Sequence, residues 1–322
     1  MSDVAVSVVM PSYNDGAWLR RAVDSVLAQA SAVPGLELLL VDDASTDAAT
    51  RAEQEALAGQ YVDHHGGQLV LLRQAHNGGP ARARNAAIAA ARGRWIAFLD
   101  GDDYWLPGGL AARWAVVQQH PEAAFIGTDY RLENAAGQAE PQGFNASRPR
   151  PRALLDAAYE TGQVLCLPRP VGAFVQAMLC WTGAVMARAD LIRAAGGFAL
   201  DLPQGEDDHL WLHLARRADF HFLPQVTAAY VQRAGSLTHD GTAPGHWKRQ
   251  SLTRLLADAE FAPWAPALRR RLAQLARQEA QFHRDRQHRG RAVQAAWQAL
   301  RLEPTAPAGW VAFAKSLAAG GR

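Results

Sequence analysis

The first hundred residues alternate between short hydrophobic runs and segments with helical spacing. Residues 4–10, 36–41, 69–72 and 95–99 are almost entirely apolar, and each run is too short for a typical helix. Such runs are typical of strands buried on both faces of a parallel sheet. The intervening segments 17–30 and 80–92 have the pattern of helices. Strand–helix–strand alternation predicts an α/β fold with an open, mainly parallel sheet flanked by helices.

The pattern is less regular after residue 103. Residues 135–152 are rich in Gly, Pro, Gln and Asn, which predicts a loop or a partly mobile insertion. Further along, 181–186 and 227–231 have the pattern of strands and 206–218 that of a helix. From Trp247 onward the spacing is helical, with prolines at the breaks. We therefore expect a C-terminal helical extension, residues 241–322, after an α/β domain, residues 1–240.

Composition narrows the class of protein. A hydrophobic fraction of 49% supports a folded chain rather than a disordered one. Lys+Arg 33 against Asp+Glu 31 is too balanced for a dedicated nucleic-acid binder. The only lysines are Lys248 and Lys315, so a GxxxxGK[ST] phosphate loop is excluded. Two cysteines, Cys166 and Cys180, exclude a disulfide framework.

The chain gives no indication of secretion or of a membrane span. No basic residue precedes the first apolar run, and the longest mostly apolar run, 171–187, falls short of the roughly 20 residues that cross a bilayer. We expect a cytoplasmic location. Basic blocks at 269–271 and 284–291 fit either peripheral contact with an anionic membrane or a solvated helical face. Glu279, Asp285 and Glu303 dilute this basic charge and favour the second interpretation.

Polar residues follow three of the predicted strands directly, at 11–15, 42–47 and 100–103. Each group alone is typical of a helix N-cap. Together they place several carboxylates at one edge of a parallel sheet, where such sheets bind ligands. Their mutual repulsion requires a cation or hydrogen-bond donors.

Asp100 and Asp102, separated by one glycine, are the best metal candidates. Oxygen-only ligation favours Mg²⁺ or Mn²⁺ over zinc, and two carboxylates leave coordination positions for diphosphate oxygens. The segment 76–85 contains Asn77, a glycine pair and Arg84 at a predicted helix start, which suits an anion. These features predict a nucleoside diphosphate ligand.

A second acidic group opens the predicted helix at 206–218. Leu210, Trp211 and Leu214 lie three, four and seven positions after Asp207, which places Asp207 on the apolar face. A carboxylate there acts either as a cap near the helix dipole or as a general base in a cleft.

As a set, these segments resemble family 2 glycosyltransferases with the GT-A fold. The resemblance spans about residues 4–240 and rests on the segments 8–14, 41–47, 77–79, 83–85, 98–103, 205–207 and 210–212. It implies transfer of a sugar, with inversion, from a nucleoside diphosphate sugar to an acceptor hydroxyl. It implies a nucleotide-sugar half, 1–103, and an acceptor and catalytic half, 104–240.

The resemblance also implies roles for individual residues. Asp207 resembles the catalytic base, with Glu206 and Asp208 beside it. Because Asp208 is also acidic, the choice between Asp207 and Asp208 as the base stays open. Asp100 and Asp102 resemble the metal and diphosphate site. The candidate nucleotide-sugar residues in the matching segments are Pro11, Ser12, Tyr13, Asn14, Asp42, Asp43, Asn77, Arg84 and Asp100.

One segment departs from the family pattern. The family often shows Tyr-Arg-x-His before a Gly-Ser pair, whereas here 230–233 reads Tyr-Val-Gln-Arg before Gly235 and Ser236. The nearest histidine is His239. Arg233 therefore becomes a candidate for the diphosphate or nucleotide site, and His239 a candidate metal ligand.

The resemblance indicates a UDP-sugar donor and a saccharide or lipid-linked acceptor, in cell-surface polysaccharide or glycolipid synthesis. Two alternatives stay open. A sugar-1-phosphate nucleotidyltransferase shares the sheet and metal but needs a glycine-rich, basic first loop. A non-catalytic nucleotide-sugar binding module is the alternative from another class. No oligomeric state is predicted.

Overall fold

The computed structural model describes residues 4–61, 67–233, 243 and 245–318. The chain forms two compact units. The first comprises Met1–Leu200 and Leu210–Ala234, and the second comprises Asp201–His209 and Gly235–Arg322. A domain boundary between residues 240 and 241 stays a prediction.

Within the described residues, the first unit contains a sheet of nine strands. The strands are β1 (Val6–Ser12), β2 (Leu36–Asp42), β3 (Gly67–Arg73), β4 (Trp95–Phe98), β5 (Tyr104–Trp105), β6 (Phe125–Asn134), β7 (Leu165–Leu167), β8 (Val185–Arg188) and β9 (Phe220–Gln232). Their order is β3-β2-β1-β4-β8-β6-β9-β5, and β7 also pairs with β9. The strands β3, β2, β1 and β4 run parallel, which confirms the predicted parallel half.

Helices connect these strands. They are α1 (Trp18–Leu27), α2 (Ala48–Gln60), α3 (Pro80–Ala90), α4 (Gly109–Gln119), α5 (Phe144–Ser147), α6 (Pro149–Leu154), α7 (Asp156–Thr161), α8 (Val171–Gln176), α9 (Ala189–Ala194) and α10 (Glu206–Arg217). Every residue of β1 and β2 is buried, which accounts for their continuous hydrophobic runs. The unit boundary falls inside α10, after His209.

Two local predictions are wrong. The segment 135–152 is not wholly a loop, because α5 lies within it and α6 begins in it. The carboxylate of Asp129 accepts the N–H groups of Asn145 and Ala146 at 2.9 and 3.2 Å, so a residue distant in sequence caps this helix. The segment 181–186 starts as a 3₁₀ turn, Thr182–Ala184, before β8 begins. The indole of Trp105 donates to the Gly183 carbonyl at 2.9 Å, which satisfies the backbone of that turn.

The second unit is mainly helical over its described residues. Its C-terminal helices are α11 (His246–Ala257), α12 (Ala265–Asp285), α13 (Arg289–Leu302) and α14 (Pro307–Ala318). Alanines at 273, 276 and 299 form one small buried cluster between α12 and α13, so the two helices pack closely. The predicted helical extension is confirmed in these residues.

Among the described helices, none combines the length and the apolar character that crossing a bilayer requires. Part of the basic charge of the second unit is already paired, since Arg277 lies 3.4 Å and Arg270 3.8 Å from Glu303. Peripheral membrane contact stays a prediction.

Candidate functional site

Asn14 joins the loop after β1 to the loop after β2. Its backbone is left-handed, with φ 54°, a conformation that asparagine tolerates better than most residues. Its Oδ1 accepts the N–H groups of Thr46 and Asp47 at 2.9 and 3.0 Å, and its Nδ2 donates to Thr46 Oγ1 at 3.1 Å. The side chain of Asn14 therefore holds the two strand-end loops side by side.

Ser12 and Asp42 lie buried beneath these loops. Gln54 donates from Nε2 to Ser12 Oγ at 3.1 Å and to Asp42 Oδ1 at 3.2 Å, and Asp42 also accepts the Ser45 N–H. The side chains of Ser12 and Asp42 are therefore already hydrogen-bonded within the fold. Tyr13 differs, because its side chain is 42% exposed and its ring is available to a ligand.

Asp43 fixes the glycine turn that precedes α3. Its two carboxylate oxygens accept the N–H groups of Gly78 and Gly79 at 2.9 and 2.7 Å. Burial raises the pKa of Asp43, and these two hydrogen bonds oppose the rise. Asn77 stays exposed and accepts the Gly79 N–H at 3.2 Å. Positions 77–79 are therefore shaped by Asp43, the residue that follows β2.

Arg84, on α3, reaches the end of β4. Its Nη2 donates to Asp100 Oδ1 at 2.6 Å, and its guanidinium lies over the ring of Phe198 with the centroid at 5.2 Å. Arg84 is buried, whereas the Asp100 side chain is 27% exposed. The arginine thus holds one carboxylate of the Asp-Gly-Asp segment in position.

The remaining carboxylates at this edge share one guanidinium. Arg233, just after β9, donates from Nε to Asp102 Oδ2 at 2.6 Å and from Nη2 to Asp15 Oδ1 at 3.0 Å. Asp103 is buried and its Oδ1 accepts the Val231 N–H at 2.7 Å. Residues from the loops after β1 and β4 therefore meet the end of β9.

Carboxylates outnumber guanidinium groups in this cluster, and the pKa values of the carboxyl groups reflect that excess. Burial and the neighbouring Asp102 raise the pKa of Asp15 to about 7. Burial and Asp100 raise the pKa of Asp102, and burial followed by Asp102 raises that of Asp103 well above its usual range. Buried carboxylates whose repulsion is incompletely balanced are typical of functional sites.

Gly101 permits this crowding. A Cβ atom at this position would lie 2.3 Å from Asp15 Oδ2 and 3.2 Å from the Pro11 carbonyl oxygen. The same carbonyl accepts the Gly101 N–H at 3.2 Å. Only glycine lets the Asp-Gly-Asp segment approach the loop after β1 so closely.

The second acidic group opens α10, in the second unit. Glu206 is buried, and Asp207 and Asp208 are partly buried. Asp208 lies 3.2 Å from Lys248 Nζ, and Asp207 Oδ1 accepts the Asp208 N–H at 2.7 Å. Asp208 therefore has an ammonium group beside it.

The structure brings several of the predicted residues together. Asp100 contacts Arg84, and Asp102 contacts Arg233. His239 lies outside the described residues. The prediction omitted Asp15 and Asp103, whose burial beside Asp102 is visible only in the fold. The signal available in the sequence was that both belong to the acidic loops that end strands.

The comparisons place the chain among known transferases. The family described as Glycosyl transferase family 2 matches residues 7–168. One relative is the Escherichia coli UDP-Glc:alpha-D-GlcNAc-diphosphoundecaprenol beta-1,3-glucosyltransferase WfgD, 34% identical over 134 residues, which are 42% of this chain and 49% of that protein. The chain spans about half the length of such curated relatives.

Two solved structures share the fold. Staphylococcus aureus TarS 1–349 in complex with UDP-GlcNAc has a TM-score of 0.65 at 17% identity, covering 98% of this chain and 89% of that chain. The Pyrobaculum calidifontis mannosyltransferase PcManGT in complex with GDP-Man and Mn²⁺ has a TM-score of 0.58 at 20% identity, covering 100% and 80%. The predicted GT-A fold is confirmed.

Proposed function

The chain belongs to glycosyl transferase family 2, and we propose that it transfers a sugar from a nucleoside diphosphate sugar to an acceptor hydroxyl with inversion at the anomeric carbon. The observation behind this proposal is the cluster of Asp15, Asp100, Asp102 and Asp103 with Arg84 and Arg233. It lies at the carboxyl ends of β1 and β4, the edge at which open α/β sheets bind ligands.

The proposed nucleotide contacts come from three loops. The exposed ring of Tyr13 suits stacking on a base, and the turn held by Asp43 presents the exposed Asn77. Arg84 and Arg233 are the proposed partners of the diphosphate, because a guanidinium group pairs well with phosphate oxygens. The remaining candidate residues hold the shape of these loops: Pro11, Ser12, Asn14 and Asp42.

The residues present fit a hard divalent cation. Asp100 and Asp102 offer carboxylate oxygens, and the raised pKa values of Asp15, Asp102 and Asp103 indicate a cluster that gains from added positive charge. We propose that Asp100 and Asp102 hold Mg²⁺ or Mn²⁺. Such an ion, when bound, stabilises negative charge on a leaving diphosphate. His239 stays a proposed ligand from outside the described residues.

We assign the base to Asp207. The reaction requires a carboxylate that takes the proton of the acceptor hydroxyl as the oxygen attacks the anomeric carbon. Lys248 Nζ lies 3.2 Å from the Asp208 carboxylate, so Asp208 is already engaged by an ammonium group, and we therefore prefer Asp207. Glu206 is a neighbouring carboxylate with a supporting role.

Similar proteins support a proposal for the donor and acceptor classes. One relative's name describes transfer from UDP-Glc to a lipid diphosphate acceptor, and one structural neighbour binds UDP-GlcNAc. We propose a UDP-sugar donor and a saccharide or lipid-linked acceptor, in the synthesis of a cell-surface polysaccharide or glycolipid.

The first experiment is a thermal-shift screen of UDP, GDP and dTDP sugars with Mn²⁺, because a ligand that binds only the native state raises the melting temperature. Ligands that stabilise the protein are then tested for release of the nucleoside diphosphate in the presence of acceptor saccharides. We expect stabilisation by UDP-sugars and acceptor-dependent release of UDP. No stabilisation by any nucleotide sugar would refute the proposal, and stabilisation without release would indicate a binding module.

A further inference from the structure

Three side chains typical of metal ligands meet at another edge of the sheet. His120 follows α4, Glu122 lies in the turn before β6, and His221 is the second residue of β9. Glu122 Oε1 lies 3.4 Å from His120 Nδ1 and 3.5 Å from His221 Nε2. One ligand atom of each residue lies within 4.8 Å of the other two.

This cluster is separate from the acidic site. The strand β8 runs antiparallel to both β4 and β6, so β6 is parallel to β4, and β9 is parallel to β6. His221 and Glu122 lie where β9 and β6 begin, whereas Asp100 and Asp102 follow the end of β4. The two groups therefore occupy opposite edges of the sheet.

His221 lacks the hydrogen bonds that a buried imidazole needs. Its side chain is 1% exposed, and neither ring nitrogen has a hydrogen-bond partner among the described residues. A buried polar group without a hydrogen bond is costly, so such a group calls for an explanation. A neutral imidazole nitrogen carries a lone pair that can bind a metal ion.

The distances from Glu122 Oε1 to His120 Nδ1 and His221 Nε2 fit a small tetrahedral ion. Metal–ligand distances of about 2.0–2.1 Å in a tetrahedron place neighbouring ligand atoms about 3.3–3.4 Å apart. Two imidazole nitrogens and one carboxylate oxygen suit zinc, whereas Mg²⁺ prefers oxygen ligands alone. Among the described residues no further His, Cys, Asp or Glu joins the group, which leaves the fourth position to water.

We propose that His120, Glu122 and His221 bind a Zn²⁺ ion, with water in the fourth coordination position. The ion ties the turn between α4 and β6 to the first residues of β9, about a hundred positions later in the chain. It also gives the buried imidazole of His221 the partner that it lacks.

The test titrates the full chain with Zn²⁺ in excess Mg²⁺, which occupies hard oxygen sites. Zinc content and melting temperature are measured for the wild type, His120→Gln and Glu122→Gln. His120 and Glu122 are 34% and 66% exposed, so these variants are expected to fold, which circular dichroism checks. His288→Gln, an exposed histidine outside the cluster, is the matched control.

We expect zinc to raise the melting temperature of the wild type and of the control by roughly 5 °C at a hundredfold excess over the dissociation constant. Each cluster variant should bind one zinc equivalent fewer and lose that shift. Co²⁺ should give the intense visible absorption of a tetrahedral site in the wild type and not in Glu122→Gln. Equal zinc content in wild type and cluster variants, or no shift in the wild type, would overturn the proposal.

Discussion

Arg233 donates from Nε to Asp102 Oδ2 at 2.6 Å, although 131 positions separate the two residues. The same guanidinium reaches Asp15 at 3.0 Å. It therefore occupies an oxygen of one of the two aspartates proposed to hold the divalent cation. An arginine in this position lowers the repulsion among the carboxylates and competes with a metal ion for them.

Replacing Arg233 by alanine is expected to strengthen binding of Mn²⁺ and Mg²⁺. The variant frees Asp102 Oδ2 and leaves the cluster with one positive charge fewer, so the attraction for an added cation rises. Each 1.4 kcal/mol of that attraction corresponds to about a tenfold lower dissociation constant. Isothermal titration with Mn²⁺ measures the change.

The control is Arg188→Ala, which removes an exposed arginine paired with Asp190. It should leave metal binding unchanged. Weaker metal binding by Arg233→Ala would mean that the guanidinium assists the ion instead of competing with it.

The stability of the protein should depend on pH through Asp15. Its pKa rises from 3.8 to about 7 on folding, so the folded state binds this proton more tightly than the unfolded state. The resulting stabilisation is complete below pH 3.8, declines as the pH rises, and is lost above about 7. The decline is at most about 1.4 kcal/mol per pH unit. Asp15→Asn should therefore gain stability relative to wild type across this window.

Denaturant unfolding at a series of pH values tests this expectation. Asp285→Asn, a change at an exposed residue of α12, serves as the control and should show a constant difference from wild type. A constant difference for Asp15→Asn as well would show that Asp15 is ionised throughout the window.

Gly101→Ala should destabilise the protein by about 1–3 kcal/mol, because the added methyl group overlaps Asp15 Oδ2 in a packed site. It should also weaken metal binding, since Asp100 and Asp102 flank the altered residue. The midpoint of urea unfolding reports the first effect, and titration with Mn²⁺ the second.

Gly59→Ala is the matched control. Gly59 lies in α2 with no atom within 4 Å of an added Cβ, so alanine should raise stability by up to about 1 kcal/mol through helix propensity. Equal stability of the two alanine variants would show that the approach of Gly101 to Asp15 is not required.

Asp207→Asn should retain donor affinity and lower kcat by about 10²–10⁴-fold, the usual contribution of a general base. Asp208→Asn should have a smaller effect, because Lys248 lies beside that carboxylate. Steady-state release of the nucleoside diphosphate measures kcat, and titration with the donor measures donor affinity.

Asp201→Asn is the control in the same unit, since Asp201 is exposed and paired with Arg254 at 2.8 Å. A larger loss of kcat in Asp208→Asn than in Asp207→Asn would reverse the assignment of the base.

The sequence predicted the parallel half of the sheet because β1, β2 and β4 are buried on both faces and therefore continuously apolar. It predicted the wrong structure at 135–152, where Asp129 caps α5 from outside the helix. A cap supplied from a distant strand leaves no trace in the local pattern.

The candidate site shows the same limit. Asp100 and Asp102 stand out in the sequence because their spacing is local. The burial of Asp15 depends on the approach of Gly101, and the position of Arg233 depends on where β9 ends. Contacts between distant loops require the fold, so the sequence could name the acidic loops but not the ionisation of each acid.

Arg233 follows Asp15 by 218 positions, which has a consequence for biosynthesis. A ribosome extends the chain from its N-terminus, so the acidic loops emerge well before their guanidinium partner is translated. Until β9 inserts beside β6, Asp15 and Asp102 lack the guanidinium group that pairs with them in the folded protein. The nucleotide-sugar half therefore lacks the positive charge of Arg233 until β9, one of the last strands of the sheet, is in place.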